Sequence, residues 1–82
     1  MEWEVKHQAR QPGSWAAFAK LPGFKGWAYT GSYRWSEEDR CFLGKLHGHG
    51  ATERGYDHRG ISQRLADAAA VYFIERAEAA AA

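Results

Sequence analysis

The feature that most constrains the fold is an alternation of residue types between positions 27 and 35. Large rings and one glycine occupy every second position, and mostly small residues stand between them. The first set is Trp27, Tyr29, Gly31, Tyr33 and Trp35, and the second is Ala28, Thr30, Ser32 and Arg34. Because side chains along a strand point alternately to opposite faces, the pattern predicts a strand whose rings share one face. With only 82 residues in which to bury a core, we expect that face to lie inward.

Three further segments are predicted as strands around this one. Residues 1–10 alternate, with Trp3 and Val5 on the more apolar side, and residues 11–14 read Gln-Pro-Gly-Ser, a turn signature. Residues 15–20 are favoured as the return arm of a hairpin, although their alanines leave a short helix open. After the polar turn at 36–40, residues 41–47 are expected to run back antiparallel, with Phe42 and Leu46 on one side.

The C-terminal third changes to a spacing of three and four residues. The stripe comprises Ile61, Leu65, Ala68, Ala69, Tyr72, Phe73 and Arg76. Such spacing predicts an amphipathic helix, with Ser62 or Gly60 as its cap, whereas the glycine-rich residues 49–60 are expected to form an exposed, flexible loop. The chain is therefore expected to form a single α+β domain over residues 1–82. Its predicted architecture is an antiparallel sheet of three to four strands with one C-terminal amphipathic helix packed on one face.

The sequence favours a protein that is not an enzyme and needs no cofactor. A lone cysteine, Cys41, fits a reducing cytoplasm, and no signal peptide or long apolar run indicates a membrane. Zinc could be held by Cys41, His47, His49 and His58, but their spacing matches no familiar structural site, and polar surface histidines are the favoured interpretation. A metal-dependent enzyme using the three histidines stays a third hypothesis. The glycines near Lys45 lack the order of a phosphate-binding loop.

Charge is segregated along the chain. Between residues 5 and 36 there are five basic residues and no acidic one, interleaved with seven aromatic rings. Interleaved bases and rings are typical of surfaces that hold single-stranded nucleic acid by phosphate neutralisation and stacking. The competing interpretation places these rings in the core and is favoured, since the whole chain carries a net charge of only +1.

A chain this short cannot hide all of its rings, so some are expected to be exposed. Exposed aromatic residues beside basic ones are typical of protein-protein contact sites. The candidate partner-binding residues are Trp15, Phe24, Lys25, Arg34, Arg54, Tyr56 and Arg59. An unpaired edge strand also favours a symmetric homodimer.

Two fragments of the chain resemble the small domain of HicB-type antitoxins. They are residues 14–24, which end Phe-Ala-Lys-Leu-Pro-Gly-Phe, and Gly-Ile-Ser-Gln at 60–63, which leads into an alanine-rich helix. The resemblance implies a non-catalytic sheet-plus-helix unit that blocks a small RNA-cleaving toxin, and it carries over only Leu21, Pro22 and Gly23, as structural residues. The overall profile is also similar to phage-encoded anti-CRISPR proteins, which implies steric blocking of a nuclease complex.

Two functions from different classes follow. The first is a cytoplasmic, non-enzymatic inhibitor that binds a protein partner, such as a nuclease or a CRISPR effector complex, through exposed aromatic residues and the 49–60 loop. The alternative is a module that binds single-stranded nucleic acid with the basic, aromatic sheet of residues 5–36. The choice depends on whether the rings between 27 and 35 face the core or the solvent.

Overall fold

The computed structural model of the protein describes residues 2–81 and contains an antiparallel sheet followed by one helix. The elements are β1 (Val5–Gln11), β2 (Ser14–Ala19), β3 (Ala28–Ser36), β4 (Cys41–Leu46), β5 (Thr52–Gly55) and α1 (His58–Ala81). The five strands lie in the order in which they occur along the chain. The expected α+β class with one C-terminal helix is confirmed, but the sheet has five strands where three to four were expected.

The first hairpin forms as the sequence indicates. Gly13 has a positive φ of 80°, which suits a glycine at a tight reversal, and Gln11 pairs with Ser14 across the turn. The segment after the turn is a strand, which decides against the short helix that its alanines left open. Those alanines serve packing instead, because Ala17 and Ala19 are fully buried and leave room for the helix above them.

Strand β3, which has the clearest alternation in the sequence, contains a bulge that this alternation does not reveal. Ala17 pairs with Gly31 and Phe18 pairs with Tyr29, so Thr30 is an extra residue on β3. The Thr30 hydroxyl donates a hydrogen bond to the Ala17 carbonyl at 3.1 Å. Because an extra residue shifts the alternation by one position, Tyr29 before the bulge and Tyr33 after it point to opposite faces although they are four residues apart.

The prediction that all the rings between 27 and 35 share an inward face is therefore wrong. Tyr33 is 2% exposed and packs in the core, with Trp35 half-buried beside it. Tyr29 lies on the other face, where its ring contacts Phe18, and Trp27 lies beneath lysine side chains there. Trp27 and Tyr29, before Thr30, thus lie on the uncovered face of the sheet. Tyr33 and Trp35, after Thr30, lie on the core side.

The helix packs closely on β4 and β5 because two glycines leave room for it. A Cβ added at Gly44 would lie 3.0 Å from the Ile61 side chain, and one added at Gly55 would lie 2.5 Å from the Ile61 backbone nitrogen. Ile61 and Leu65 are fully buried in this contact. The predicted apolar stripe thus contributes the helix side of the core.

The predicted loop at 49–60 is wrong over much of its length. Thr52–Gly55 forms the edge strand β5, which pairs with β4 between Phe42 and Lys45. The helix begins at His58, earlier than expected, and its cap is neither Ser62 nor Gly60. Instead, the Asp57 carboxylate accepts a hydrogen bond from the Gly60 backbone N–H at 2.5 Å. Pairing with β4 therefore orders a segment that lacks an apolar pattern of its own.

Within residues 2–81, the structure contains no helix with the length and apolar character needed to cross a bilayer.

Candidate functional site

One face of the sheet is covered by α1, and the other is not; we call the second the open face. Rows of side chains cross it from strand to strand. The register defines a ring row of Lys6, Phe18, Tyr29 and His47, a central row of Gln8, Ala16, Ser32, Lys45 and Thr52, and a basic row of Ser14, Arg34, Leu43 and Arg54. The rings therefore lie at one end of a continuous surface, and Arg34 and Arg54 lie at the other end.

Rings at the first end are in contact with one another. The centroids of Phe18 and Tyr29 are 5.5 Å apart, and those of Tyr29 and His47 are 4.8 Å apart. Phe18, Trp27 and Tyr29 are each half-buried, and His47 is exposed. The rings thus form a continuous strip with part of each ring open to solvent.

Basic side chains lie over these rings. The Lys6 ammonium is 4.6 Å from the Trp27 centroid and 5.6 Å from that of Phe18. The Lys20 ammonium is 5.2 Å from the Trp27 centroid, and the Arg10 guanidinium lies 5.2 Å from that of Tyr29. Each contact places positive charge against the negative face of a ring. Cations and rings are therefore combined at one place, as the sequence pattern of residues 5–36 suggested.

The other end of the open face contains a shallow depression of about 260 Å³. Its lining residues are Ser14, Ser32, Tyr33, Arg34, Leu43, Gly44, Lys45 and Thr52. The small side chain of Ser32, which lies next to Arg34 on the open face of β3, leaves room for the depression. Hydroxyl groups and two cations therefore surround a hollow that is open to solvent.

Electric charge is distributed unevenly over the molecule. Basic side chains on the open face are Lys6, Arg10, Lys20, Arg34, Lys45 and Arg54. Carboxylates approach them only at the ends, where Glu4 lies 3.7 Å from Lys20 and Asp39 lies 3.6 Å from Arg54, among the residues that the structure describes. The net charge of +1 therefore conceals a positive face, because most acids lie in the 37–39 turn and on the helix side.

A polar cluster lies beneath the sheet, at the start of the helix. The Tyr33 hydroxyl is 2.9 Å from Nδ1 of His58, and the His58 ring stacks on His7 at 4.9 Å. Burial raises the pKa of Tyr33 to about 12, partly offset by the Ser62 hydroxyl. Burial also lowers the pKa of His58, and the nearby His7 adds to this while Asp57 opposes it. Tyr33 and His58 therefore share a hydrogen bond while both are neutral, an arrangement that joins β3 to α1.

Three of the predicted partner-binding residues do not form a common surface. Trp15 is half-buried on the helix side and stacks on Tyr33 with their centroids 5.6 Å apart. Phe24 is 45% exposed and contacts Phe73 in the second half of α1. Lys25 is exposed in the bend before β3.

The other four also divide between two places. Arg34 and Arg54 both lie in the basic row of the open face, and the structure brings only these two together. Tyr56 is 84% exposed just before the helix. Arg59, in the first turn of the helix, forms an ion pair with Glu2 near the N-terminus. The set is thus spread over several surfaces.

The predicted partner-binding set omits the residues that make the open face distinctive, although most of them belong to the basic, aromatic residues 5–36 of the alternative function. Lys6, Arg10, Phe18, Tyr29 and Lys45 were absent from the predicted site. The charge segregation of residues 5–36 was the signal that could have identified most of them. The interpretation that places the rings in the core is favoured over the binding-surface interpretation, because no sequence pattern indicates the bulge at Thr30 that turns Tyr29 outward.

The candidate zinc ligands lie in different parts of the molecule. His47 contacts Tyr29, His49 contacts Tyr72 on the helix, and His58 lies in the polar cluster with Tyr33. Cys41 is buried, and its sulfur lies 3.9 Å from the Arg54 guanidinium. Among the described residues, no three metal-binding side chains converge. The hypothesis of a metal-dependent enzyme built on the three histidines therefore lacks the geometry that it requires.

No protein-family model, curated protein or solved structure matches this chain.

Proposed function

We propose that the open face binds single-stranded nucleic acid. The observation that carries this proposal is the row formed by Phe18, Tyr29 and His47, which α1 does not cover and over which basic side chains lie. Single-stranded nucleic acid binds to surfaces of this kind because bases stack on rings while cations neutralise the backbone. Sheets that present rings on an uncovered face are also an established way to bind unpaired RNA bases.

The cations over the rings favour this function rather than blocking it. A cation-π contact at an exposed site stabilises by about 0.5–1 kcal/mol. Stacking of a base on an aromatic side chain contributes about 1–3 kcal/mol. A base can therefore displace the Arg10 guanidinium from Tyr29 with a net gain, and the long side chain then remains close enough to contact a phosphate.

The low net charge does not weaken the proposal. Phosphates interact mainly with charges within about 10 Å at ordinary ionic strength, so the local field of the open face matters more than the total. Acidic side chains on the helix side are separated from a nucleic acid bound to the open face by the thickness of the sheet. Affinity is nonetheless expected to decrease with salt, because phosphate binding releases counterions.

The direct test is fluorescence anisotropy with labelled oligouridylate and oligothymidylate at several salt concentrations. Tyr29→Ala is expected to weaken binding about 10-fold or more through loss of one stacking platform. Tyr56→Ala is the matched control, because it removes an exposed tyrosine that lies off the open face. Equal affinity of the two variants would contradict the proposal.

A second pair of variants tests the charges. Lys6→Gln combined with Arg10→Gln is expected to weaken binding and to make it less salt-dependent. Arg64→Gln removes an exposed cation from the helix and is expected to leave affinity unchanged. If Arg64→Gln weakens binding as much as Lys6→Gln combined with Arg10→Gln does, then general electrostatic attraction explains the data better than a specific face.

A protein-binding inhibitor, the other candidate, is favoured by the strong exposure of Tyr56 and Phe24. These rings lie far apart along α1, since Phe24 contacts Phe73 and Tyr56 precedes His58. Phe73 is fifteen positions after His58 in the helix, which corresponds to about 23 Å. An inhibitor that blocks a nuclease assembly would lose affinity for it in Tyr56→Ala or Phe24→Ala and keep affinity in Tyr29→Ala, the reverse of the nucleic-acid outcome.

A further inference from the structure

The depression on the open face combines features that suit a phosphate group. Arg34 and Lys45 lie diagonally across the β3–β4 ladder, because Arg34 pairs with Leu43 and Lys45 pairs with Ser32. Diagonal neighbours in an antiparallel pair are about 7–8 Å apart, so two long side chains can converge on one anion. The hollow between them is about 260 Å³, which is large enough for a phosphate.

Neither cation is neutralised within the described part of the protein. Among the side chains that the structure describes, no carboxylate forms an ion pair with Arg34 or Lys45, whereas Lys20 and Arg54 on the same face each have an acidic partner. Their charges are therefore available to a ligand. An arginine can donate two parallel hydrogen bonds to phosphate oxygens, and a lysine adds a point charge.

Hydroxyl groups complete the lining. Ser14 pairs with Arg34, and Ser32 and Thr52 lie on either side of Lys45 in the central row. Serine and threonine hydroxyls can each donate one hydrogen bond to a phosphate oxygen. The depression thus offers donors from four strands, and its lining residues include no carboxylate that would repel an anion.

We infer that this depression binds a phosphate group, and, on the proposed function, that this group is a phosphodiester of the strand whose bases stack on the ring row. Phe18 and Ser14 mark the two ends on β2, four residues apart, which corresponds to about 13 Å. Stacked nucleotides in one strand advance about 3.4 Å each, so this separation spans at most about four nucleotides. Two stacked nucleotides advance only about 7 Å and do not reach from the rings to the depression, whereas four stacked nucleotides do.

The phosphate site is tested without any oligonucleotide by titrating inorganic phosphate into the ¹⁵N-labelled protein and following backbone amide resonances. Saturable shifts are expected at Ser32 and Lys45. The affinity for phosphate that they report is expected to fall at least 10-fold in Arg34→Gln combined with Lys45→Gln, which we call the open-face double variant. Arg64→Gln combined with Arg76→Gln removes two exposed helix cations and is the matched control. Shifts that are absent, or that persist unchanged in the open-face double variant, would overturn the inference.

Oligonucleotides then identify the source of the phosphate. Wild-type affinity is expected to rise sharply between two and four nucleotides, and the open-face double variant is expected to lose that rise together with about 0.7 from the slope of log K against log salt. An unchanged slope would overturn the role of the depression in strand binding. If inorganic phosphate binds and no oligonucleotide does, the proposed function fails while the site stands as one for a free phosphate group.

Discussion

The Thr30 hydroxyl donates a hydrogen bond to the Ala17 carbonyl oxygen, 3.1 Å away, at the point where β3 has one residue more than β2. The bond gives the carbonyl beside the interruption of the ladder a hydrogen-bond donor within the buried part of the sheet. It also fixes the position of the bulge, and the bulge assigns Tyr29 to the open face and Tyr33 to the core. A single extra residue therefore creates the ring row.

Gly31 next to the bulge is expected to tolerate no side chain. A Cβ at this position would overlap the Lys45 carbonyl oxygen on β4. Gly31→Ala must therefore separate β3 from β4 locally, and we expect a loss of about 3 kcal/mol in the free energy of unfolding. Urea denaturation followed by far-UV circular dichroism measures this loss.

Gly13→Ala is the control for that measurement. Gly13 also has a positive φ, but nothing lies within 4 Å of the place that an alanine Cβ would occupy, so only backbone strain of about 1 kcal/mol is expected. Equal losses for the two variants would mean that the close approach of β4 to Gly31 is not what demands glycine there.

The close packing of α1 on β4 and β5 predicts which of two further glycine variants is the less stable. A Cβ at Gly55 would lie within 2.5–2.8 Å of Ile61 backbone and Cβ atoms, which cannot move without displacing the helix. A Cβ at Gly44 would instead meet the ends of the Ile61 and Leu65 side chains at 3.0–3.2 Å, and these ends can shift.

We therefore expect Gly55→Ala to cost about 3 kcal/mol or more and Gly44→Ala about 1–2 kcal/mol. Thermal unfolding monitored at 222 nm reports the difference. A reversed order would show that the helix is held mainly over β4 and not at the β5 edge.

Stability is expected to decrease as the pH falls through the ordinary titration range of histidine. Burial lowers the pKa of His58 in the folded protein, with His7 adding to this and Asp57 opposing it. Below the unfolded value of about 6.5, the unfolded chain consequently binds more protons at this position than the folded protein. The contribution of neutral His58 is therefore present above that pH and is lost towards the folded pKa.

His58→Gln isolates this contribution, because glutamine does not titrate and retains a carbonyl oxygen that can accept a hydrogen bond from Tyr33. Urea midpoints at pH 7.5 and pH 5.5 are expected to differ more in the wild type than in the variant. A variant with the full wild-type difference would assign the pH dependence to other groups, such as the carboxylates.

Binding of a nucleic acid is expected to perturb one indole in particular. Trp27 lies on the open face under Lys6 and Lys20, whereas Trp15 and Trp35 pack in the core beside Phe42. With 5-fluorotryptophan in place of tryptophan, the ¹⁹F resonance of Trp27 should shift on addition of oligouridylate, while those of Trp15 and Trp35 stay within their line widths. Assignment by single Trp→Phe variants makes the outcome unambiguous, and a shift confined to Trp15 would place the ligand on the helix side.

Local patterns were sufficient to predict most of the secondary structure. The first hairpin, the long strand, the strand after the acidic turn and the C-terminal helix all have a clear period or turn signature, and each forms. β5 was missed because Thr52–Gly55 has no apolar alternation, and its order derives from pairing with β4 and from the helix seated on Gly55.

The candidate site was predictable only in its composition. Residues 5–36 contain the rings and most of the cations of the open face, which the charge pattern indicated. Lys45 and the hydroxyls of Ser32 and Thr52 join them through the register of β3, β4 and β5, which lies outside any local pattern. The predicted partner-binding set contained Arg34 and Arg54 from this face and residues from several other surfaces.

The sequence by itself determined that this chain forms antiparallel strands and a helix, because periods of two and of three to four residues depend only on neighbouring positions. The tertiary structure alone decided which rings are core and which are surface. That decision depends on one bulged residue, Thr30, whose place is set by the close approach of the Lys45 carbonyl to Gly31 and by a hydrogen bond to Ala17 on another strand. Alternation repeats with a period of two, so a shift of one position exchanges the two faces, and only contacts between strands fix where that shift occurs.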